Sequence, residues 1–307
     1  LLFQITPSSY AKKIKTNSTS PYKIKFNMTN NTTSVITPRK SLLDFKFDEI
    51  WQYRDLLVLF FKRDITVTYK QTILGPLWFI IQPLLTTLMF LMVFGKIAGI
   101  STEGVPPILF YMGGITIWNF FADCLRLNSD TFVKNAGLFG KVYFPRIITP
   151  LSVVASNLVK FGIQLVLFLS IYFYFIFSGT SIQPNATLFL LPVYLIILAL
   201  LGLGFGLVVS ALTTKYRDFT FLIQFGVQLW MYATPVIYPI SKIPEKYKYI
   251  ILANPISSVV EAFKYSFTGK GFFNSTGLIY SLIFSIVVFV LGVSIFNRTE
   301  KTFMDTV

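Results

Sequence analysis

Between Ile50 and Ile65 apolar residues recur at helical spacing, at Ile50, Tyr53, Leu57, Phe61 and Ile65, while Gln52, Arg54, Asp55, Lys62, Arg63 and Asp64 take much of the remaining surface. This pattern predicts an amphipathic helix. Past Gly75-Pro76 the alternation gives way to a nearly continuous apolar run, which leaves no soluble core for that helix to pack on. The helix is therefore expected to lie in the headgroup plane of a membrane, immediately before the chain enters it.

Further apolar runs follow. They fall at roughly 76–96, 107–127, 151–177, 187–211, 219–238 and 277–296, each near the ~20 residues a helix needs to cross a bilayer. Six spans are expected, and the runs are too continuous for the alternating strands of a membrane barrel. The fold class is an all-α membrane protein. Residues 1–41 form a basic, Ser/Thr/Asn-rich extension expected to be disordered, 42–75 the interface helix, and 76–307 the transmembrane domain.

Charge then orients the spans. Lys134, Lys141 and Arg146 after the second run, Lys215 and Arg217 after the fourth, and Arg298 and Lys301 at the end fall on one side with the basic N-terminus, so both termini are expected to be cytoplasmic. The stretch from 239 to 276 breaks this order, because its five lysines would face outward. Pro235, Pro239, Pro244 and Pro255 divide it into pieces too short to cross, and two re-entrant or interfacial half-helices fit it, broken at Asn254-Pro255. The second would run from Ile256 to Phe267 and hold Glu261 and Lys264 toward protein or water.

Composition narrows the chemistry. The 307 residues are 54% hydrophobic and only 13% charged, with one cysteine, Cys124, and no histidine, which removes the usual metal ligands and general base. No metal site is expected. The net charge of +14 sits beside apolar runs, with no groove-reading or stacking motif, so topology accounts for it and nucleic acid is not an expected partner. Gly269-Lys270-Gly271 lacks the upstream glycine and following hydroxyl of a phosphate loop. Asp123 and Glu261 are the only candidate intramembrane carboxylates, too few to favour an ion-coupled carrier. Pumping would then draw on a separate subunit. Lys160 could snorkel toward the cytoplasm or pair with Asp123, and Gly202, Gly204 and Gly206 would permit close packing within the bundle or at a dimer seam.

Several longer stretches, in order and separated by spans, carry a resemblance: YRDLLVLFFKRDITVTYKQTILGPLWFIIQPLL at 53–85, GKVYFPRIITPLS at 140–152, KYRDF at 215–219, TPVIYP at 234–239 and NPIS at 254–257. Together they resemble the membrane (permease) subunit of an ABC-type polysaccharide or O-antigen exporter, of the ABC-2 type, from about residue 42 onward. The resemblance implies a homodimer in the bacterial inner membrane that works with two ATPase subunits. ATP and Mg would be held by those subunits, so the chain would carry no cofactor and be no enzyme by itself. The cargo would be lipid-linked polysaccharide of O-antigen, capsule or teichoic-acid type, with a drug, a small lipid or an ion-coupled substrate as alternatives.

The resemblance also assigns roles. The loop at 128–150 becomes the ATPase-coupling element, with Phe132, Leu138, Phe139 and Tyr143 as grip and Lys134, Lys141 and Arg146 around it. Arg54, Lys62, Arg63 and Lys70 on the interface helix are candidates for membrane lipids and the carrier-lipid head group. Sliding contacts for a glycan call for aromatic faces and amides, and Trp118, Asn119, Phe121, Tyr172, Tyr174, Gln224, Gln228, Trp230 and Tyr232 are offered as a group.

Overall fold

The computed structural model describes residues 47–70 and 74–303; the basic extension lies outside them. Among the described residues every regular element is helical. Helices α1 (Phe47–Gln52) and α2 (Arg54–Lys70) form the expected amphipathic segment, separated at Tyr53. Of the stripe read from the sequence, Tyr53 and Leu57 pack inward, joined by Leu56 and the buried Phe60, which that stripe did not include. Trp51, Val58, Leu59 and Val67 remain exposed on the other flank and supply the apolar surface a membrane would cover.

The first crossing starts as a short 3-10 turn at Gly75–Leu77, continues as α3 (Trp78–Phe90) and ends in a π-helical stretch, Leu91–Ile97. Pro76 suits a helix start because its missing N–H would have had no partner there. Then come α4 (Pro107–Ser129), α5 (Thr131–Phe139), α6 (Ile148–Phe177) and α7 (Leu191–Lys215), followed by α8 (Phe219–Tyr232), α9 (Glu245–Ala253), α10 (Pro255–Thr268) and α11 (Ser275–Phe303).

Helix α4 is the hub. It is buried along most of its length and packs against α3, α6, α7, α8 and α10. Helix α7 sits between α4 and α11, and its glycines explain the closeness. A Cβ on Gly202 or Gly206 would fall 2.6 Å from the Cβ of Cys124 or Asn128 on α4. A Cβ on Gly204, on the opposite face, would fall 2.8 Å from Phe289 N on α11. The glycine series therefore serves packing within one chain.

Among the described residues, five helical segments are long and apolar enough to span: Gly75–Ile97, Pro107–Ser129, Ile148–Phe177, Ala186–Lys215 and Ser275–Glu300. The sixth expected span is different. Helix α8 stops at Tyr232 after 14 residues, about 21 Å against the ~30 Å of a hydrocarbon core. The rest of that path is non-helical. Near α8's start Thr220 donates to Asp130 Oδ1 at the end of α4 (2.9 Å), whereas Val236 O lies 2.9 Å from where a Cβ on Gly114 would stand, in the first half of α4. The 219–238 segment thus runs beside α4 from Asp130 back to Gly114, part as helix and part as the TPVIYP turn. Pro235 and Pro239, which cannot donate ladder hydrogen bonds, account for the break.

Candidate transport site and coupling surface

Non-helical backbone at membrane depth needs hydrogen-bond partners from protein. Here α10 supplies them. Lys264 Nζ donates to Pro235 O (2.6 Å) and Val236 O (3.3 Å), stands 3.6 Å from Glu261 Oε1 and lies 3.7 Å from the Phe110 ring centroid. Both charged residues are buried, as the sequence reading placed them. Asn254 ties the break from the other end: Nδ2 donates to Thr234 Oγ1 (2.9 Å), while Oδ1 caps α10 by accepting from Ile256 N (3.1 Å). Carbonyls left by Asn254-Pro255 are met by α11, where Tyr280 OH donates to Ala253 O and Ser281 Oγ to Pro255 O. The half-helices are α9 and α10, with the break where expected.

The same end of the bundle carries contacts that the sequence reading missed. Ser241 donates to Glu103, and Lys270 Nζ donates to Gly104 O (3.0 Å), joining the loop between 97 and 106 to the two sides of the half-helix pair. The available signal was Glu103, a lone acidic residue in a loop without Lys or Arg between 97 and 106.

At the opposite end a second core forms from Phe60, Phe132, Phe139, Phe144, Ile148, Leu203, Leu207, Val293 and Phe296. Phe132 stacks on Phe296 with centroids 4.4 Å apart, and Phe144 meets Phe60 at 5.6 Å and Phe139 at 5.8 Å. This clasp binds α2, α5, α7 and α11 together. It corrects the expectation for Phe132 and Phe139: their rings fill the inner core and offer no outward grip. Arg146 is corrected too. Its guanidinium stands 3.7 Å from Glu300 Oε1, donates to Glu300 O (3.1 Å) and covers the Phe139 ring at 5.3 Å, so it fastens α11. What the segment from 128 to 150 does expose is Val133, Lys134, Lys141, Val142 and Tyr143, the last 81% accessible, with Leu138 half-buried beside them. The helical period hides one face of α5, while Gly140 and Lys141, which follow it, point outward.

The cations of the interface helix are exposed. Lys62 and Lys70 are solvent-facing, Arg54 lies 3.9 Å from Asp55 and 5.5 Å from the Trp51 ring centroid, and Arg63 holds Asp64 through two nitrogens at 2.8 and 2.9 Å. Lys160 pairs with Asp123, one of the two options for it.

The aromatic and amide group divides. Trp118, Phe121 and Tyr172 are buried within one chain, so they cannot face a passage outside it in this arrangement. Trp118 lies 5.5 Å from Phe121, Phe121 meets Trp230 at 5.3 Å, and Tyr172 packs on Phe267 at 5.5 Å. Aromatic period alone does not tell a core face from a passage face. Trp230 and Asn119 are half-buried, and Tyr174 is exposed near the end of α6. Gln224, Gln228 and Tyr232 are exposed on α8, spaced four residues apart on one face, with Phe221 and Phe225 alongside.

The comparisons agree with this architecture. The family model described as ABC-2 type transporter matches residues 55–268, from the start of α2 to the end of α10. The chain is 27% identical over 251 residues to the O-antigen export system permease protein RfbA of Klebsiella pneumoniae, covering 82% of this chain and 94% of that one. It is 27% identical over 262 residues to the RfbA permease of Myxococcus xanthus, covering 84% and 98%. Similarity extends to the polysialic acid transport protein KpsM of Escherichia coli, 20% over 247 residues, covering 80% and 94%. The family match over residues 55–268, together with the long apolar helices, makes this chain a multi-pass membrane protein of the ABC-2 type transporter family.

Proposed function

We propose that this chain is the membrane subunit of an ATP-driven exporter that moves lipid-linked polysaccharide across the bacterial inner membrane. The observation that carries the proposal is the near full-length similarity to permeases named for O-antigen export and polysialic acid transport. Both termini would be cytoplasmic, which puts the Phe60–Phe132–Phe296 clasp on the cytoplasmic side and the Glu103, Ser241 and Lys270 contacts on the outer side.

Two copies would work together with two ATPase subunits, which bind ATP and Mg and grip Val133, Lys134, Lys141, Val142 and Tyr143. The clasp gives that grip mechanical reach. A push on α5 is delivered through Phe132 to α11 and through Phe139 and Phe144 to α2, because close-packed rings move as a unit. ATP-driven closure of the partner subunits would then rock the two bundles and open a passage between them. Gln224, Gln228 and Tyr232 on α8 supply sliding contacts for a glycan, each weak enough to release it. Arg54, Lys62 and Lys70 meet inner-leaflet phosphates.

Depleting the protein in its host and following labelled lipid-linked glycan tests the reading. Cytoplasmic-side accumulation with loss of surface polymer, reproduced by removing the ATPase, is the expected result. Unchanged surface polymer would overturn it in favour of another cargo.

A further inference from the structure

Along α4 the residues Asn119, Asp123 and Arg126, with Asp130 just past its end, recur at intervals of four, three and four and so share one face of the hub helix. Asn119, Asp123 and Arg126 on this polar stripe are only half-buried. Both carboxylates are engaged. Asp123 holds Lys160 of α6, while Asp130 holds Lys134 at 3.3 Å and accepts from Thr220 of α8 at 2.9 Å. Arg126 is the charge left over. Its guanidinium makes no hydrogen bond, ion pair or ring contact among the described residues, and its Nε is enclosed without a partner. Arg217 and Arg298 are also without such contacts, but both are exposed. Arg126 is set back within the span: it stands one turn from Asp123, whose partner Lys160 lies about 18 Å along α6 from Ile148. An enclosed polar group is ordinarily satisfied, and a cation at such a place ordinarily has a partner.

Two contacts fix how α4 and α8 are aligned. Thr220 meets Asp130, and Trp230 meets Phe121 with ring centroids 5.3 Å apart, so the helices run antiparallel. Moving along α8 from Thr220 to Trp230 matches moving back along α4 from Asp130 to Phe121, which sets the exposed Gln224 level with Arg126. We infer that Arg126 recognises a phosphate of the lipid-borne head group that carries the cargo, received at the inner end of the α8 amide face. The inference rests on the export reading above and assigns that cargo a recognition residue. Chemistry selects the ligand. A guanidinium presents a planar fork of N–H donors that matches two oxygens of one phosphate, which a neutral sugar does not offer. Because Asp123 and Asp130 already hold lysines, the incoming anion takes Arg126 without breaking an ion pair of the chain. The Gln224 amide, at the same level, is the nearest exposed donor on α8 for a further phosphate oxygen.

The test uses the full chain with its ATPase in phosphatidylcholine nanodiscs and measures binding of labelled farnesyl diphosphate, a short lipid-borne diphosphate. Arg126→Gln is expected to weaken binding about tenfold, the factor carried by roughly 1.4 kcal/mol, with the unfolding midpoint unchanged because the guanidinium has no partner to lose. Arg126→Lys should recover part of the affinity, since it restores the charge without the fork. Arg298→Gln, which removes an equal charge from an exposed site, should bind as the native chain does. Native affinity in Arg126→Gln would overturn the proposal, and a lowered midpoint with native affinity would make the residue a counter-charge to the α4 carbonyl end. Competition by farnesol as strong as by farnesyl diphosphate would overturn the phosphate assignment. Equal competition by inorganic pyrophosphate, or by phosphatidylglycerol built into the disc, would overturn the cargo head group as the source, in favour of a free anion or an ordinary phospholipid. Binding is read without transport, so the two readings can fail separately. Arg126-dependent binding beside unchanged surface polymer on depletion would leave the site and remove the polysaccharide cargo, whereas lost polymer beside Arg126-independent binding would do the reverse.

Discussion

Lys264 stands where a charged side chain is ordinarily costly, yet its ammonium has two carbonyls, a carboxylate and an aromatic face around it. Those carbonyls belong to the turn that completes the sixth crossing, so the residue substitutes for the helix that Pro235 and Pro239 forbid. Lys264→Met leaves Glu261 without this partner and Pro235 and Val236 without a donor. Breaking a buried pair in this way costs about 3–5 kcal/mol, and a lowered thermal unfolding midpoint in detergent is the expected reading. The double change Glu261→Gln with Lys264→Met should recover part of the loss, because it removes the stranded charge. A native midpoint for Lys264→Met would contradict this account. Gly204 allows a second, independent comparison. Gly204→Val pushes into the α11 backbone, where overpacking costs about 1–3 kcal/mol, whereas Gly162→Ala on α6 meets nothing within 4 Å and should be neutral or slightly stabilising through helix propensity. Equal effects would show that α7 and α11 adjust freely.

At the scale of elements, α5 and the loop that follows it separate two roles that the sequence merged. Phe132 and Tyr143 both looked like grip for an ATPase, but one is fully enclosed and the other is 81% accessible. Phe132→Ala should therefore destabilise the permease by about 3–5 kcal/mol, as expected for removing a core ring. Tyr143→Ala should leave the unfolding midpoint unchanged and weaken co-purification of the ATPase, and retention of the partner at native levels would overturn that role. The amphipathic segment, the apolar helices and the break at Asn254-Pro255 were legible because periodicity, run length and proline are local properties of the chain. The true length of α8 was not. The run 219–238 reads as uniformly apolar, and only the contacts of Lys264 and Asn254, 20 or more residues away, reveal that its last third is a turn. The burial of Trp118, Phe121 and Tyr172 was hidden for the same reason: which face of an aromatic helix meets its neighbours is set by partners distant in sequence.

For the whole molecule, the route of a polymer follows from where the bundle is filled. Around α4 the interior is packed with Tyr111, Trp118, Phe121, Phe168 and Phe263, and α8 carries an exposed amide-bearing face on which a glycan could slide. A passage on that face needs a second wall, which in the proposed dimer a second copy of the chain would supply with the same groups. Cysteine cross-linking tests this directly, since the native chain has only Cys124, which is buried against α7. Gln228→Cys, treated in membranes with a short bifunctional maleimide, should give a covalent dimer. Tyr174→Cys, exposed near the far end of α6, should remain monomeric under the same treatment. Addition of nucleotide in the presence of the ATPase should change the yield at Gln228, because rocking of the bundles alters the separation of the two α8 helices. A dimer formed through Tyr174→Cys but not through Gln228→Cys would place the seam on α6 and leave α8 facing lipid, and the passage would then have to be sought elsewhere on the bundle.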